Sequence, residues 1–474
     1  MANNVEQSVY FQRRKNAGAL VVRDAPKFDL ESYISNYEDR TRLDRLITIG
    51  CTSTYLSIDA FHAAIAEAKQ GKDTDIYMSI VGCLQQIVPE DPLSMPDLGW
   101  VEQRMKQIKA ETDRLEHELK QYKNNLIKES IRMGNEDLGA HYQSIGDFNA
   151  AYKAYYKMRD YCTSPKHIAD MSLKLILCSI HQRAWTTVQT HVLRIQSQSL
   201  KAEDKAKIDP ILSACLGLAY MATGHYREAA TAFLQTKPEF MTGGPAAGVT
   251  WQRALLTGND IAVYGGLCAL ASMDRAELQS QVLGSSSFRN FLELEPHIRR
   301  AVSLFCGSKY SACLEILESY RTDYLLDVYL QGHVASIYGA VRRKSIVQYF
   351  IPFACVTLEE MGKAFSSGSG VPIEEELVDM IQNGTLNARI DLVNGLLLSP
   401  PSHLRQDVHD SALKMAASYE HNLRLRLLRL NMLNAGLELR APKNLNAGVP
   451  QMHGGMEGYE EGMAGGSRLR MSRG

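Results

Sequence analysis

The sequence predicts a mostly α-helical protein, in which a right-handed, tetratricopeptide-like superhelix of helix pairs is followed by a winged-helix module and a long C-terminal helix. Apolar residues recur at three- and four-residue steps along most of the chain, which is the period of amphipathic helices. Two segments that begin at Leu138 and Leu216 share one spacing of small and aromatic residues. Residues 358–398 then change to a pattern of two short helices and a hairpin.

The composition is that of an ordinary globular protein. With 474 residues, 45% of them hydrophobic, the chain can bury a substantial core, and its net charge of -1 gives no general attraction to nucleic acid or anionic membranes. The nine cysteines are spread along the chain without any Cys-x-x-Cys pair, which argues against a disulfide framework or a zinc site. No apolar run has the length of a signal peptide or a membrane span. We expect a soluble, intracellular protein with protein partners.

Changes of pattern divide the chain into consecutive regions. Residues 1–27 are polar and are predicted to be a flexible arm, and residues 28–100 carry a helical period that three prolines interrupt near its end. Residues 101–250 hold a long helix and the helix-pair repeats. Residues 251–402 form a helical part to about 350 and the winged helix over 351–402. A terminal helix is predicted over 403–440, and the Gly- and Met-rich residues 441–474 are predicted to be disordered.

The most regular signal is a heptad seam over residues 101–126. Its members are Val101, Met105, Ile108, Thr112, Leu115, Leu119, Tyr122 and Leu126. Alternating steps of four and three predict one continuous helix with a narrow apolar stripe. The stripe can pack on the chain's own helices or on a partner, and its modest length favours the first alternative.

A repeated spacing predicts stacked helix pairs. The first copy contains Leu138, Gly139, Tyr142, Gly146, Phe148, Ala151 and Tyr155, and the second contains Leu216, Gly217, Tyr220, Gly224, Tyr226, Ala229 and Phe233. We expect Gly139 and Gly217 to allow close approach of two helices, and Gly146 and Gly224 to end the first helix of each pair. Such units resemble tetratricopeptide repeats, which stack into superhelices. A degenerate unit over 173–195 fits between the copies.

The winged helix is predicted element by element. Residues 358–365 form a short helix, and Pro372 with three following glutamates suits the first turn of a second helix. Apolar and polar residues then alternate over 386–392, which indicates a half-buried strand. Asn394-Gly395 predicts a two-residue hairpin turn into a strand over 396–398. If Arg389, Ile390 and Asp391 lie on an edge strand, they are candidates for pairing with a neighbouring subunit.

The terminal helix carries an apolar stripe that needs a partner. Its candidate interface residues are Leu404, Val408, Met415, Tyr419, Leu423, Leu427 and Leu430. Leu425 and Leu428 lie off this stripe, so the end of the helix is apolar on more than one side, as in helices buried among several others. Burial in the chain's own core is the alternative, but an intermolecular helical bundle is the favoured interpretation.

Several segments resemble a known family. The winged-helix segments LEEMGKAF (358–365), IEEEL (373–377) and ARID (388–391) resemble a PCI domain, a module shared by the proteasome lid, the COP-nine signalosome and the translation initiation factor three complex. The segments ASMDRAEL (271–278) and FRNFLELEP (288–296) are similar to the branch of first signalosome subunits and their proteasome-lid counterparts. The segments FDLESYISNY (28–37) and RTRLDRL (40–46) are similar to the signalosome side of that branch.

The resemblance implies a non-catalytic scaffold subunit in the cytoplasm and nucleus. It also implies membership of a complex that removes the ubiquitin-like modifier Nedd from cullins and so regulates cullin-RING ligases. Other PCI subunits of that complex are expected to bind through the winged helix and the terminal helix. A proteasome-lid subunit is the alternative. Neither His-x-His, His-Glu-x-x-His nor a phosphate-binding loop occurs, so no catalytic, cofactor-binding or metal residue is predicted. A nucleic-acid adaptor that uses Arg342, Arg343 and Lys344 is the least favoured alternative.

Overall fold

The computed structural model describes residues 5, 7–365, 372–400 and 404–437, which belong to two units, 1–400 and 401–474. The first unit begins with an N-terminal group of helices. They are α1 (Val9–Asn16), α2 (Leu30–Ile34), α3 (Asp39–Thr52), α4 (Ser57–Gln70) and α5 (Thr74–Ile87), followed by a 3-10 turn (Pro92–Ser94). Their apolar faces form one N-terminal core, with Leu46, Ile49, Phe61 and Leu84 buried at its centre.

The N-terminal arm differs from the predicted flexible segment. Phe11 in α1 is 1% exposed, and Ser8 caps this helix by accepting a hydrogen bond from the backbone N–H of Phe11. Val22 pairs with the end of α3, where its N–H donates to the carbonyl of Thr52 at 2.8 Å. Single apolar residues, too widely spaced to give a period, therefore hold a polar segment on the core.

The heptad seam forms one helix, α6 (Leu98–Asn124), which ends before Leu126. Leu119 is buried in a small core with Ile131, and Thr112 is hydrogen-bonded to His141 at 2.9 Å. The C-terminal half of α6 thus packs on helices of its own chain, the first of the two alternatives that the heptad seam left open. Met105, nearer the start, is exposed.

The repeats are helix pairs, as the spacing predicted. They comprise α7 (Lys128–Ile145), α8 (Phe148–Lys157), a 3-10 turn (Met158–Tyr161), α9 (Pro165–His181), α10 (Trp185–Gln196), α11 (Ala202–Ala222) and α12 (Tyr226–Leu234). A Cβ on Gly139 would lie 2.5 Å from the Tyr155 ring, and one on Gly217 would lie 2.8 Å from the Phe233 ring. Only glycine permits an aromatic side chain to pack so closely on the facing helix.

Further helices carry the stack toward the sheet. They are α13 (Glu239–Thr242), α14 (Trp251–Ala254), α15 (Gly258–Ser272), α16 (Arg275–Glu277) with a π-helical turn (Leu278–Leu283), α17 (Ser286–Leu292), α18 (Pro296–Cys306), α19 (Tyr310–Ser319), α20 (Arg321–Leu325) and α21 (Val334–Phe350). Apolar residues of α15 are buried in a large core that extends from α9 into the winged helix. This continuous core makes the winged helix an extension of the stack.

The winged helix contains β1 (Cys355–Thr357), α22 (Leu358–Ala364), α23 (Ile373–Gln382), β2 (Arg389–Asp391) and β3 (Leu396–Leu398). Among the described residues the strands form one antiparallel sheet in the order β1-β3-β2. Strand β1 was not predicted. Asp391 pairs with Leu396, so the hairpin loop has four residues between these partners, and the prediction of a two-residue turn was wrong. Pro372 is the N-cap of α23 and precedes its first helical residue.

The described part of the second unit is a single helix, α24 (Leu404–Asn434), with a short C-terminal cap. Gly436 has a φ of +69° and Leu437 N–H donates to the carbonyl of Met432 at 3.0 Å, which is a left-handed helix cap. The helix lies within the predicted span of 403–440. The predicted disordered tail, 441–474, lies outside the described residues.

Candidate assembly interface

Strand β2 is an edge strand in the described part of the sheet, because its partner is β3 and the order is β1-β3-β2. Arg389 is exposed, whereas Ile390 is half-buried and packs on the main core. Asp391 shapes the loop: its Oδ1 accepts from the N–H of Val393 at 3.0 Å, and its Oδ2 accepts from the Asn394 side chain at 2.8 Å. The three predicted residues therefore have three separate roles, and Arg389 faces solvent.

The hairpin loop presents apolar side chains to solvent. Val393 is 93% exposed, and its neighbour Leu392 is also exposed. The hydrogen bond from the Asn394 side chain lowers the pKa of Asp391, with further bonds from the backbone N–H groups of Asn394 and Val393. An ionised Asp391 thus fixes a loop whose tip is apolar. The exposed tip was not predicted from the sequence, because the hairpin turn was predicted to have only two residues.

The stripe on α24 is exposed along its described length. Val408, Met415, Tyr419, Leu423, Leu427 and Leu430 have exposures from 41% to 69%. Leu404 begins the helix, and its side chain is not among those described. Leu425 and Leu428 are exposed on the other side. Contiguous exposed leucines on a helix of this length are typical of a surface that binds another protein.

The basic cluster beside the winged helix is used inside the chain. The Nε of Arg342 donates to the carboxylate of Glu376 at 2.8 Å, and another guanidinium nitrogen donates to the carbonyl of Phe365 at 2.8 Å. Lys344 donates to the carbonyls of Leu270 and Met273. These contacts join α21 to both the winged helix and α15. They leave Arg343 as the exposed member of the cluster.

A buried ionic network joins the N-terminal helices to the end of the stack. Arg45 in α3 is 0% exposed, and it donates to Asp327 at 2.6 Å and to Asp260 at 3.0 Å. Its guanidinium carbon lies 4.0 Å from the ring centroid of Tyr37. Burying a charged side chain is expensive unless its partners are in place, so this network fixes one arrangement of three distant segments.

Tyrosine hydroxyls complete this network. Tyr37 donates to Asp260 at 2.8 Å, and Tyr264 donates to Asp327 at 2.8 Å. Burial raises the pKa of Asp260, although the charge of Arg45 opposes that effect. The sequence contains Tyr37 and Arg45 in the segments that carry the family resemblance, but their partners lie more than 200 residues away. Spacing along the chain could not reveal that contact.

In the described ranges, no group of three or more His, Cys, Asp and Glu side chains is arranged to hold a metal ion. Likewise, none of the described helices combines the length and the apolar character needed to cross a bilayer.

Comparison with known proteins identifies the family. Residues 97–281 match the family described as 26S proteasome subunit RPN7, and residues 317–400 match the PCI domain. The chain is 53% identical to COP9 signalosome complex subunit 1 of Emericella nidulans, over 90% of this chain and 86% of that protein. It is 36% identical to COP9 signalosome complex subunit 1 of Arabidopsis thaliana, over 88% of this chain and 92% of that protein.

The proteasomal relatives are more distant. The 26S proteasome regulatory subunit RPN7 of Saccharomyces cerevisiae is 22% identical over 55% of this chain and 59% of that protein. The signalosome relatives match at higher identity over most of both chains. The chain therefore belongs to the COP9 signalosome complex subunit 1 family.

Proposed function

We propose that this chain is a non-catalytic scaffold subunit of a COP9 signalosome. The observation that carries the proposal is the exposed apolar stripe of α24, which includes Met415, Leu423 and Leu427. Full burial of a leucine or methionine side chain is favourable by about 1.5–3 kcal/mol relative to exposure. Each such side chain left exposed on α24 lacks this stabilisation. Helices from other subunits supply the missing cover in an intermolecular bundle.

The winged helix provides the second contact in this proposal. Strand β2 has one edge that is unpaired among the described residues, and the backbone groups on such an edge readily pair with a further strand. Arg389 is exposed on that strand, and Leu392 and Val393 lie at the adjoining loop tip. We assign this edge to a neighbouring PCI subunit, with Arg389 as the charged contact and the loop tip as the apolar one.

The proposed role in the complex is mechanical. The Arg45 network and the continuous core hold the N-terminal helices and the winged helix in one unit, so a partner bound at one end is positioned relative to the other. Through its complex, the chain supports removal of the ubiquitin-like modifier Nedd from cullins and thereby the regulation of cullin-RING ligases. The proposal places it in the cytoplasm and nucleus and assigns it no cofactor or catalytic residue.

The alternatives have less support. A proteasome-lid role rests on the more distant similarity to RPN7 proteins. A nucleic-acid adaptor requires Arg342 and Lys344 to face phosphates, but both donate to groups of the chain itself. The α23 helix beside them carries three glutamates in its first turn, which repel a phosphate backbone.

Affinity purification with mass spectrometry tests the proposal. A tagged full-length chain is expected to recover other PCI subunits of the signalosome, and a chain that lacks residues 403–439 is expected to lose most of them. A chain that lacks only residues 441–474 is the matched control. Retention of the whole complex after the first deletion would refute the role of α24. Recovery of proteasomal ATPases in place of signalosome subunits would establish the lid alternative.

A further inference from the structure

A cleft with aromatic and acidic walls lies where the N-terminal helices meet the end of the stack. Its volume is about 290 Å³, at the lower end for ligand sites, which suits a single side chain or a small organic ion. Lys27, Asn36 and Asn259 line the cleft and are exposed, whereas Tyr264 and Leu330 line it and are buried. The cleft is therefore open to solvent on one side and closed by the core on the other.

The lining of this cleft carries an excess of negative charge. Four carboxylates line it, those of Asp260, Glu295, Asp323 and Asp327. Lys27 is the single lysine or arginine among the described residues of the lining. The buried Arg45 donates to Asp260 and Asp327. Glu295 and Asp323 form no ion pair with a lysine or arginine in the described part of the chain, so their charges are available to a ligand.

One part of the lining shows which cation this combination of groups binds. The guanidinium carbon of Arg45 lies 4.0 Å from the ring centroid of Tyr37, and its nitrogens donate to Asp260 and Asp327. A guanidinium is planar, so it stacks on an aromatic face while its N–H groups point at carboxylates around its edge. A tyrosine face and two carboxylates are thus the groups with which this chain holds a guanidinium.

The other part of the lining has the same groups without a guanidinium. The ring of His297 stacks on that of Tyr320, with centroids 3.9 Å apart and an interplanar angle of 11°, so the tyrosine ring is held in place. The Nδ1 of His297 lies 3.2 Å from the Glu295 carboxylate, and Asp323 follows Tyr320 by one turn in α20. This second set again consists of one tyrosine face and two carboxylates.

Lys27 covers the Tyr320 ring without completing the second set. Its ammonium nitrogen lies 3.9 Å from the ring centroid, but it forms no ion pair with a described carboxylate. Only its backbone N–H reaches Asp323, where it donates to Oδ1 at 2.9 Å. Burial raises the pKa of Asp323, and the backbone N–H and charge of Lys27 oppose that rise. A cation closer to this carboxylate would stabilise its ionised form.

We propose that the cleft binds a guanidinium group on an aliphatic stem, which replaces the Lys27 ammonium on the Tyr320 ring and pairs with Asp323 and Glu295. The ligand is an arginine side chain of a partner protein or a free alkylguanidine, because both carry the same planar cation. A lysine ammonium matches the site less well, since it has no plane to stack on the ring. The scaffold role does not use this cleft, so each proposal can fail without the other.

Isothermal titration calorimetry of the full-length chain tests the proposal. The probes are agmatine, as a free alkylguanidine, and a capped Gly-Gly-Arg-Gly-Gly peptide, as an arginine side chain. The same peptide with citrulline in place of arginine is the matched neutral probe. We expect saturable binding of a guanidinium probe and no binding of the citrulline peptide. Binding of agmatine alone would identify a free alkylguanidine as the ligand, and binding of the arginine peptide would identify a protein side chain.

Substitutions in the lining test the replacement of Lys27. Lys27→Met is expected to tighten binding about fivefold, because it removes the ammonium that competes for the Tyr320 ring. Asp323→Asn is expected to weaken binding at least about tenfold, the loss of one charge-assisted hydrogen bond. Lys309→Met, which removes an exposed lysine outside the lining, is the control and is expected to leave binding unchanged.

Circular dichroism of each variant checks that the helices remain folded, and the comparison of the two peptides on the wild-type chain needs no variant. If neither guanidinium probe binds saturably at millimolar concentration, or if the citrulline peptide binds as well as the arginine peptide, the proposal is wrong. Weaker binding of the probes to the Lys27→Met variant would overturn the replacement of its ammonium by the ligand.

Discussion

Arg45 and Asp327, which are 282 residues apart in the sequence, form a buried ion pair with an N–O distance of 2.6 Å. The Asp327 Oδ1 also accepts from the backbone N–H of Leu330 at 2.8 Å, so the carboxylate is bound from both sides. Asp260 accepts a hydrogen bond from the other terminal nitrogen of the same guanidinium. This contact holds the N-terminal helices against the segment that leads into the winged helix. The scaffold therefore depends on an interaction that closes the chain on itself.

Replacing Arg45 is expected to destabilise this closure strongly. Arg45→Met removes the charge and leaves Asp260 and Asp327 buried with no cation, which typically costs about 3–5 kcal/mol. The melting temperature is expected to fall, and hydrogen exchange is expected to accelerate in α3 before the α7–α12 stack. Arg42→Met is the control, because the Arg42–Glu67 pair is 40% exposed on the arginine side and such pairs contribute about 0–1 kcal/mol. Equal losses in the two variants would contradict the role of the network.

The stability of the helix pairs is expected to fall when a close-packing glycine is replaced by alanine. Gly139→Ala places a Cβ 2.5 Å from a Tyr155 ring carbon, and overpacking of this kind costs about 1–3 kcal/mol. A lower melting temperature, measured by circular dichroism, is the expected result.

Gly332→Ala is the control for that substitution, because a Cβ there meets nothing within 4 Å. It is expected to leave the melting temperature nearly unchanged. Gly217→Ala is expected to resemble Gly139→Ala, since its Cβ would lie 2.8 Å from the Phe233 ring. If alanine is tolerated equally at all three positions, the close-packing explanation of the repeat fails.

Acid is expected to destabilise the repeats through His191. This side chain is buried in α10 with Nε2 3.0 Å from the Tyr152 hydroxyl, and burial lowers its pKa in the folded state. Below the unfolded pKa of about 6.5, the unfolded chain binds a proton that the folded chain resists, so stability falls with falling pH by up to about 1.4 kcal/mol per pH unit.

The measurement is the melting temperature between pH 7 and pH 5. His191→Gln is expected to flatten the decline, because it removes one group that protonates only on unfolding. The pKa values of His141 and His333 are also lowered by burial, so part of the decline is expected to remain. His421→Gln on the exposed α24 helix is the control. A decline unchanged by His191→Gln would contradict this explanation.

The repeats and the winged helix could be predicted because their causes are local. Matched small and aromatic residues specify the α7–α8 and α11–α12 pairs, and Gly139 and Gly217 allow the close approach that was expected, against Tyr155 and Phe233. The strand at Arg389 follows from alternation, and its return at Leu397 follows from the position of the turn signal, although the loop is longer than the predicted two residues. Strand β1 escaped because its three residues are too few to show a period, and Thr357 at its end also caps α22.

The spacing of residue types along the sequence does not reveal contacts between distant segments. Arginine is a residue type usually found on the solvated face of a helix. Only the tertiary structure shows that Arg45 is buried between two aspartates. Lys344 was grouped with a basic patch, yet its ammonium group lies 4.8 Å from the Phe305 ring centroid. Charged residues of this kind are usually exposed, so the sequence favoured a surface position for both.

The exposed stripe of α24 provides the most direct test of the scaffold role. The measurement is recovery of other PCI subunits on a tagged full-length chain that carries Leu423→Glu and Leu427→Glu, with Lys414→Glu on the opposite face as control. Recovery is expected to fall at least about tenfold, a loss of about 1.4 kcal/mol in binding, while the control retains its partners. Undiminished recovery with both leucines replaced would contradict the account.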